Sequence, residues 1–482
     1  MAFRNNPLRE KVRTAYKDLT LKNIYPGRYR AACKAPVVPG SVVFLEIREK
    51  SLSDNFKMIR SALEKRNQKR APEQAEKADD RLAEKVDARS AEKADGRLAE
   101  KASVNWTMSV VCIGEGLEPQ GIVMKNCLSA IPQLASAQFI FVNESSYFLS
   151  CLPIRPETTV IQTWHACGAF KKFGYSVIGK GYGTTREDLE KYPVHGNFSY
   201  VTVSAPEVVW AYAEAFHMED RLERILPIGV SRTDMFFSRK YREKACGKTA
   251  WVLRRMAPQL FLKGAAGSSN SGISSREMHA KIGDVYSDRL ADQKNAADLS
   301  VVPGKKIILY APTFRGSAGN ASSPDRLDIA LMKKELGKEY ILLINHHPFV
   351  KAKNRPKIPP LCADFAFDMT GKLSIEELLT VADVCITDYS SLIFEYSLFE
   401  RPLIFFAFDM DSYLDERGFY YPIPEMMPGP VCSKTQEITE VLKKADADFD
   451  LKRVREFKYR FMGSCDGHAT ARLLHLMDSV PN

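Results

Sequence analysis

The chain has 482 residues, 45% of them hydrophobic, and its 69 lysines and arginines outnumber 59 aspartates and glutamates to give a formal net charge of +10. This length predicts two domains, since one domain usually takes about 100–200 residues, and the composition is that of a globular protein. The positive charge favours anionic partners such as nucleotides, phosphopolymers or anionic lipids, but it does not choose among them.

The cysteines and the apolar runs exclude two classes of protein. Ten cysteines are scattered without a CxxC pair or a metal-type spacing, and this usage suits a reducing compartment rather than a disulfide scaffold. No stretch approaches the ~18 apolar residues that cross a bilayer, and the N-terminus lacks the apolar core of a signal peptide. The sequence therefore predicts a cytoplasmic protein that contacts a membrane from the side at most.

Short apolar runs alternate with amphipathic segments, which is the pattern of α/β domains built on parallel sheets. Two such sheets, divided near residue 229, would leave a cleft between them, with ligands outside the carboxyl ends of the strands. The predicted strands are Ser41–Ile47, Thr107–Ile113, Phe139–Asn143, Thr159–Thr163, Tyr200–Ser204, Lys306–Ala311, Tyr340–Asn345, Val384–Thr387 and Leu403–Phe408. The predicted helices are Pro206–Phe216, Ile375–Val381 and Ser391–Phe399.

Three segments do not fit this alternation. In residues 75–102 an eight-residue repeat begins with Ala-Glu-Lys and carries eight acidic and seven basic residues, which predicts a solvated helix or a disordered spacer. Residues 247–299 are predicted to be an irregular interdomain insertion, with a basic amphipathic helix at Trp251–Leu262. The basic Pro7–Lys34 segment could lie on an anionic membrane surface or pack on the first domain as a helix.

A histidine at the end of a predicted strand is the first candidate catalytic residue. His165 follows a β-rich run and precedes Gly168, Lys171 and Lys172. A neutral histidine, with an ordinary pKa of about 6.5, can accept the proton of an alcohol that becomes a nucleophile. The glycine and the two lysines favour this role over that of a structural histidine.

A second histidine closes another apolar strand in the second half of the chain. His347 precedes Pro348, which keeps the backbone extended and projects the ring at the strand end. An imidazolium there could stabilise a departing diphosphate oxygen. The doublet with His346 also suggests a metal site, but adjacent strand residues point in opposite directions and no carboxylate stands at a supporting spacing. We therefore predict no metal ion.

The start of the predicted helix at Ser391 is a candidate anion site. Asp388, Ser390 and Ser391 stand where free N–H groups and the helix dipole attract an anion, although an ordinary helix cap would use the same serines. Glu395 lies one turn along the same face and could accept hydrogen bonds from ribose hydroxyls. An exposed surface glutamate is the alternative.

Two arginines complete the candidate set. Arg315 leaves a predicted strand in the run Thr313-Phe314-Arg315-Gly316, and Arg232 stands at the presumed domain crossover. The planar fork of a guanidinium suits phosphate, and a surface salt bridge is the alternative for either residue. Their location at a strand end or at the crossover favours phosphate binding.

Several of these motifs occur in a familiar order along the chain. They are Trp164-His165 with Gly168 and Lys171-Lys172, Gly229 to Asp234, Ala311 to Arg315, His347-Pro348, Thr387 to Ser391, Arg401-Pro402 and Asp466 to Ala469. In this order the chain resembles the CDP-glycerol glycerophosphotransferase family, which builds wall teichoic acids and related polyol-phosphate polymers in bacteria. The resemblance covers about Val38–Arg60 and Trp106–Met477.

The resemblance implies a GT-B-like fold of two Rossmann-type domains whose parallel sheets face each other across a cleft. Residues 1–228 would form the acceptor-side domain, with 463–482 packing back on it as a helix, and 229–462 would bind the CDP-polyol. The implied reaction moves polyol phosphate, glycerol phosphate first, from the CDP-polyol to a hydroxyl of a lipid-linked polyol-phosphate acceptor, with release of CMP. It needs neither a metal ion nor a cofactor, and no nucleic acid takes part.

Three other functions remain open alongside this one. Members that transfer ribitol phosphate are similar to this chain as well, a GT-B transferase could use a nucleotide sugar, and a membrane-surface scaffold could keep the fold without catalysis. Each of these functions that uses a lipid-linked acceptor implies a peripheral protein on the anionic inner face of the cell membrane.

The resemblance also implies a role for each motif. His165 would activate the acceptor hydroxyl, while His347 would help to hold the diphosphate and Glu395, where the family more often has aspartate, would bind the ribose. Thr313, Arg315, Ser390 and Ser391 would share the diphosphate with His347. The other predicted substrate-binding residues are Gly168, Lys171, Arg232 and Asp388.

Overall fold

The structure is a computed structural model that describes residues 7–69, 105–179, 185–261, 300–316, 320–410 and 418–480. The charged repeat at 75–102 and the part of the insertion from 262 to 299 lie outside these residues. The chain divides into two compact units, and the first break between them follows Phe237, whereas the sequence placed it after residue 228. The first comprises Met1–Phe237, Asp415–Tyr420 and Tyr459–Asn482, and the second comprises Ser238–Leu414 and Tyr421–Lys458.

The first unit is built on a sheet of six parallel strands in the order β2-β1-β3-β4-β5-β6. Every residue of its third strand, Ala-Gln-Phe-Ile-Phe-Val, is buried, as expected where helices cover both faces of a parallel sheet. The strands are β1 Val38–Glu46, β2 Thr107–Cys112, β3 Ala137–Val142, β4 Thr159–Gln162, β5 Tyr200–Thr202 and β6 Ile225–Leu226.

Helices surround this sheet. The α-helices are α1 Pro7–Lys17, α2 Tyr25–Ala32, α3 at residues 54–69, α4 Gln120–Ser136, α5 Tyr147–Cys151, α6 Arg186–Lys191 and α7 Val209–Phe216, with a π-helical turn at Asp18–Ile24 between α1 and α2. Short 3₁₀ turns are found at Gly174–Val177, Pro206–Val208, Leu222–Arg224 and Ser231–Phe237.

The N-terminal segment packs on the first unit through its second half. Tyr25 and Tyr29 in α2 are buried, and the Tyr25 ring meets the ring of Phe148 edge-on at 5.2 Å. Of the two alternatives for Pro7–Lys34, packing on the first domain is therefore found for α2. Val12 and Leu19 stay exposed, at 62% and 53%.

Among the described helices, none combines the length and the apolar character needed to cross a membrane.

The second unit repeats the architecture with six parallel strands in the order β12-β11-β10-β7-β8-β9. Aliphatic residues of these strands, such as Ile308, Leu342, Ile386 and Ile404, form its core with Met332 from a covering helix. The strands are β7 Lys306–Ala311, β8 Tyr340–Ile344, β9 Ala366–Asp368, β10 Val384–Thr387, β11 Leu403–Phe406 and β12 Val431–Cys432.

The helices of this half are α8 Arg239–Met256, α9 Ile329–Leu336, α10 Ile375–Val381, α11 Leu392–Ser397, α12 Thr435–Asp448 and α13 Leu451–Met462, of which α13 begins in the second unit and ends in the first. Its 3₁₀ turns are Pro258–Phe261, Ala352–Asn354, Pro360–Cys362 and Ile423–Met426.

The last helix, α14 Ala469–Ser479, belongs to the first unit. Its residues Leu473, Leu474 and Met477 join the aromatic core around Phe44 and Phe141. The helix begins against a carboxylate from elsewhere in the chain, because both oxygens of the Asp234 side chain accept its first amides, from Ala469 at 3.1 Å and Thr470 at 2.8 Å. A negative charge at a helix N-terminus is favourable.

The predicted α/β class, with two Rossmann-type units, is confirmed. All nine predicted strands are present, each within three residues of the predicted ends. The strands that the sequence did not predict are β6, β9 and β12, which have two or three residues each and lie at sheet edges. A run this short carries no readable alternation.

The predicted start of the insertion at Gly247 is wrong. Helix α8 runs unbroken from Arg239 through Gly247 to Met256, and the helix predicted at Trp251–Leu262 is its last part followed by a 3₁₀ turn. Ser238 starts the helix by accepting the Tyr241 amide at 3.3 Å. Buried residues spaced three or four apart then hold it, which outweighs the ~0.5–1 kcal/mol that a helical glycine costs.

Two glycines give a matched test of this account. Gly229 has φ +91°, and a Cβ there would lie 2.3 Å from the Ser464 carbonyl oxygen, so Gly229→Ala should destabilise the first unit by about 1–3 kcal/mol or more. A Cβ at Gly247 would meet no described atom within 4 Å, so Gly247→Ala should stabilise α8 by ~0.5–1 kcal/mol. Melting temperatures of the two variants should therefore move in opposite directions. Equal shifts would contradict the placement of both residues.

Candidate functional site

His165 lies just after β4, beside a residue with an unusual backbone. Trp164 has φ 53°, a left-handed conformation that is strained for a bulky side chain. Its amide donates to the Gln162 side chain at 2.8 Å, and its buried indole lies 4.2 Å from the His165 ring and 4.8 Å from the Phe173 ring. These contacts hold the strained turn and fix where the imidazole sits.

The oxygens around Nδ1 of His165 determine which ring nitrogen carries the lone pair. Nδ1 lies 3.1 Å from the carbonyl oxygen of Asn143 and 3.3 Å from Oε1 of Glu144. Both oxygens can only accept, so Nδ1 carries the hydrogen and Nε2 carries the lone pair. The side chain is 44% exposed. An accessible Nε2 lone pair is what a general base requires.

The electrostatic surroundings keep this histidine neutral. Partial desolvation of the ring lowers the pKa of His165, and the charges of Arg232 and Arg48 act in the same direction. The Glu144 carboxylate and the Asn143 carbonyl oppose them, and the net result is a pKa below the usual value. At neutral pH the ring is therefore unprotonated and able to take a proton.

Two of the residues predicted beside His165 are tied into the protein backbone. Gly168, at φ 62°, donates its amide to Ser204 Oγ at 3.0 Å, and that hydroxyl donates to the Phe461 carbonyl at 2.6 Å. Lys171 forms an antiparallel bridge with Phe419. The Gly168 amide is thus engaged within the protein, where it helps to shape the loop.

Arg232 reaches the same loop from the 3₁₀ turn Ser231–Phe237. One of its terminal nitrogens lies 3.8 Å from the sulfur of the buried Cys167, two residues after His165. The structure therefore brings Arg232 and His165 to one place in the first unit.

In the second unit, Thr313, Arg315 and Asp388 form one network with Asp409. The guanidinium of Arg315 donates to Asp409 through Nε at 2.7 Å and a terminal nitrogen at 3.0 Å, and to Asp388 at 3.0 Å. Its other terminal nitrogen donates to the Thr313 carbonyl at 3.0 Å and hydroxyl at 2.8 Å. These five bonds use all five N–H groups of an arginine.

Asp388 is the buried centre of this network. Its carboxylate also accepts the Thr313 amide and hydroxyl, each at 2.8 Å. Burial raises the pKa of Asp388, while Arg315 and the Thr313 bonds oppose that rise. Burial by itself would lower the pKa of Arg315, but the two carboxylates outweigh it and the pKa is raised, so the arginine stays charged. The network fixes the position of Thr313 and links the segments that follow the carboxyl ends of β7 and β10.

The two adjacent histidines after β8 have different surroundings. His346 is buried, with Nδ1 2.7 Å from Ser323 Oγ, and burial lowers its pKa. The half-buried His347 packs between the rings of Phe314 at 4.7 Å and Phe349 at 4.8 Å. Its Nδ1 accepts the Phe349 amide at 3.2 Å, so in the neutral ring Nε2 carries the hydrogen and can donate to an oxygen.

Among the residues that the structure describes, no three His, Cys, Asp or Glu side chains come together as a metal site.

The serine pair at the start of α11 differs from the predicted cap. Ser391 occupies the N-cap position, but it has helical φ −65° and its side chain makes no capping hydrogen bond; Ser390 Oγ accepts the Leu392 amide at 3.4 Å. Glu395, within α11, is 7% exposed. The alternative of an exposed surface glutamate is therefore wrong.

Sequence reasoning missed Asn143, Glu144 and Asp409. Asn143 and Glu144 follow β3, and Asp409 follows β11, so all three lie at carboxyl ends of strands. That position in the sequence was the signal that could have found them.

The chain matches the family model described as CDP-glycerol:poly(glycerophosphate) glycerophosphotransferase over residues 28–251 and 276–478. It is 30% identical over 463 residues to a teichoic acid ribitol-phosphate primase of Bacillus spizizenii, covering 95% of this chain and 96% of the relative. It is 32% identical to a teichoic acid poly(ribitol-phosphate) polymerase of the same species, over 73% of this chain but 48% of that relative.

A teichoic acid glycerol-phosphate primase of Bacillus subtilis is 26% identical over 70% of this chain and 72% of its own length. A solved structure of the wall teichoic acid polymerase TagF superposes with a TM-score of 0.61, at 22% identity, over 99% of this chain and 98% of that one. At this identity, the similarity to TagF concerns the fold alone. The family match covers most of the chain, and the chain therefore belongs to the CDP-glycerol:poly(glycerophosphate) glycerophosphotransferase family, a family of phosphotransferases that move polyol phosphate in teichoic acid synthesis.

Proposed function

We propose that this chain transfers polyol phosphate from a CDP-polyol to a hydroxyl of a lipid-linked polyol-phosphate acceptor. The acceptor oxygen attacks the phosphorus that carries the polyol, and a new P–O bond forms. The bond from that phosphorus to the bridging oxygen of the diphosphate breaks, and CMP leaves with the electron pair. The proton of the acceptor hydroxyl passes to Nε2 of His165.

The observation that carries this proposal is the arrangement of His165. Its Nδ1 hydrogen is held by the Asn143 carbonyl, the Glu144 carboxylate lies 3.3 Å from the same nitrogen, and the pKa of the histidine lies below the usual value. Phosphoryl transfer depends mainly on positioning and charge stabilisation. In the bond-making step, the protein therefore contributes chiefly a neutral base held in a fixed position.

We assign the donor diphosphate to the second unit. The Nε2 hydrogen of His347 is directed by its Nδ1 bond to the Phe349 amide, and can stabilise the departing CMP oxygen. Arg315 holds Thr313 and Asp388 in place, because its N–H groups are already engaged by protein oxygens. Ser390 and Ser391 remain proposed diphosphate contacts, and Glu395 a proposed ribose contact.

Membrane attachment follows from the acceptor in this proposal. A lipid-linked acceptor and a CDP-polyol meet at the inner face of the cell membrane, where the protein would act as a peripheral protein. The net charge of +10 suits an anionic surface. Val12 and Leu19 of the N-terminal segment supply exposed apolar side chains.

One observation favours ribitol phosphate over the glycerol phosphate that the sequence put first. The relative matched over nearly the whole of both chains is a ribitol-phosphate primase, at 30% identity, whereas the glycerol-phosphate primase is 26% identical over a shorter span. CDP-ribitol is therefore the first donor to test.

A donor panel tests the proposal. Purified protein is incubated with a phosphopolyol acceptor and, in turn, CDP-ribitol, CDP-glycerol, UDP-sugars and GDP-sugars, and nucleotide release is measured. We expect release of CMP from a CDP-polyol, with CDP-ribitol giving the higher kcat/KM. Preference for a sugar nucleotide would overturn the proposal in favour of a sugar transferase. Tight binding to anionic liposomes without any turnover would favour the scaffold instead.

A further inference from the structure

Two oxygens of different character lie near Nδ1 of His165: one accepts its hydrogen, and the other is an ion-pair partner. The Asn143 carbonyl, at 3.1 Å, is neutral, and Oε1 of Glu144, at 3.3 Å, belongs to a carboxylate. Both residues follow β3, while His165 follows the neighbouring β4, so paired parallel strands deliver the two partners to one edge of the sheet. The Glu144 side chain is 21% exposed, which places its carboxylate in a partly desolvated position.

The two oxygens have different consequences when the ring takes a proton. The carbonyl alone is sufficient to select the Nδ1–H tautomer, because it can only accept. The carboxylate adds attraction that grows when the ring becomes a cation, since its Oε1, 3.3 Å from Nδ1, then faces a full positive charge. Such a partner lowers the energy of the transition state more than that of the ground state.

We propose that Glu144 is a positioning residue that acts through His165, because its carboxylate stabilises the imidazolium formed when Nε2 takes the proton of the acceptor hydroxyl. This assignment deepens the proposed function and rests on it. Glu144 itself contacts neither donor nor acceptor in this assignment. The bond made is N–H at Nε2, and the bond broken is the O–H of the acceptor.

Two cations from other elements also act on the same ring. Arg48 follows β1, Arg232 comes from the 3₁₀ turn Ser231–Phe237, and both cations lower the pKa of His165 together with desolvation. Glu144 is the anion that opposes them, so its removal leaves the cations uncompensated. The base must be neutral to act, and the acid limb of its pH–rate profile falls at the pKa of His165. Loss of the Glu144 charge should therefore move that limb to lower pH.

The test compares Glu144→Gln, which keeps the shape and removes the charge, with wild type. We expect kcat to fall about tenfold, as part of the larger effect of a general base, with the donor KM unchanged. The acid limb should move to lower pH, and the His165 ring resonance, followed by NMR, should titrate at lower pH. Glu144→Asp should recover part of kcat. A purely structural role would lower kcat at every pH without moving either titration.

Glu49→Gln is the matched control, because Glu49 is an exposed carboxylate on the loop after β1 at the same edge of the sheet. It should leave kcat and both titrations at the wild-type values. Unchanged kcat and an unmoved His165 titration in Glu144→Gln would overturn the assignment. The NMR titration needs no substrate, so it still decides the assignment if wild type fails with every CDP-polyol, which is the outcome that defeats the proposed function.

Discussion

Replacing His165 with alanine should reduce CMP release by about 10²- to 10⁴-fold, the usual contribution of a general base. The variant keeps the acceptor and donor contacts but leaves no group to take the hydroxyl proton. Because the side chain is 44% exposed and outside the aromatic core, the melting temperature should change little. Steady-state CMP release at neutral pH, measured with the preferred CDP-polyol, checks this.

A matched control is available on the last helix. His475 in α14 is exposed, and His475→Ala should turn over at the wild-type rate. If His165→Ala retained wild-type kcat while folding normally, the acceptor hydroxyl would be activated by another group and the proposed base would be excluded. If both histidine variants lost activity equally, the loss would report on something other than proton transfer.

Replacing Arg315 with alanine should destabilise the second unit by about 3–5 kcal/mol, as expected when one partner of a buried ion pair is removed. Asp388 would stay buried without its counter-charge, and Thr313 would lose its bonds to the guanidinium. Hydrogen exchange in β7 and β10 should speed up, because Thr313 and Asp388 lie just after the carboxyl ends of these strands. Donor turnover should fall as the loop of Thr313 loosens.

The pH dependence of this defect has a defined sign. Burial already raises the pKa of Asp388, and the loss of Arg315 raises it further, because the cation favours the ionised form. An ionised, unpaired carboxylate is costly and a protonated one is not, so the stability deficit of Arg315→Ala should be largest at neutral pH and shrink as pH falls. A deficit independent of pH would contradict this account.

Arg239→Ala is the control for Arg315→Ala. Arg239 is 62% exposed and pairs with Glu243 one helical turn away, a kind of surface pair that contributes about 0–1 kcal/mol. Arg315→Lys should lie between the two, since lysine keeps the charge but loses the planar fork that serves three partners. Equal stability of the Arg315 and Arg239 alanine variants would mean that the network is not structural.

The sequence predicted the strands well because their apolar runs are long enough to read. β7 and β10 have the predicted ends, whereas the two-residue β6 and β12 carry no pattern of their own. The sequence predicted helix α8 only from Trp251 onward, because the residues buried before it, Ala245, Cys246, Thr249 and Ala250, are too small to show a helical apolar stripe. Tertiary packing within the second unit holds this part of the helix despite Gly247.

The candidate site was predictable only where a residue's type and position at a strand end sufficed. His165 could be found this way, but Glu144 and Asp409 could not be matched to their partners, because the pairs are joined by sheet topology and lie 21 and 94 positions apart in sequence. Arg315 has the fork that suits phosphate, yet carboxylates from two other strand ends occupy it. Residue type and local sequence do not reveal which distant side chains the fold brings into contact with a given residue.

The most direct test of polyol-phosphate transfer follows the acceptor and the nucleotide in one reaction. Wild-type protein is incubated with its preferred CDP-polyol and a phosphopolyol acceptor. The mass of the acceptor is determined by mass spectrometry, and the amount of CMP released is quantified in the same reaction. We expect one polyol phosphate added to the acceptor for each CMP released, and neither product with His165→Ala. CMP release without growth of the acceptor, or growth by a sugar, would contradict the proposed reaction.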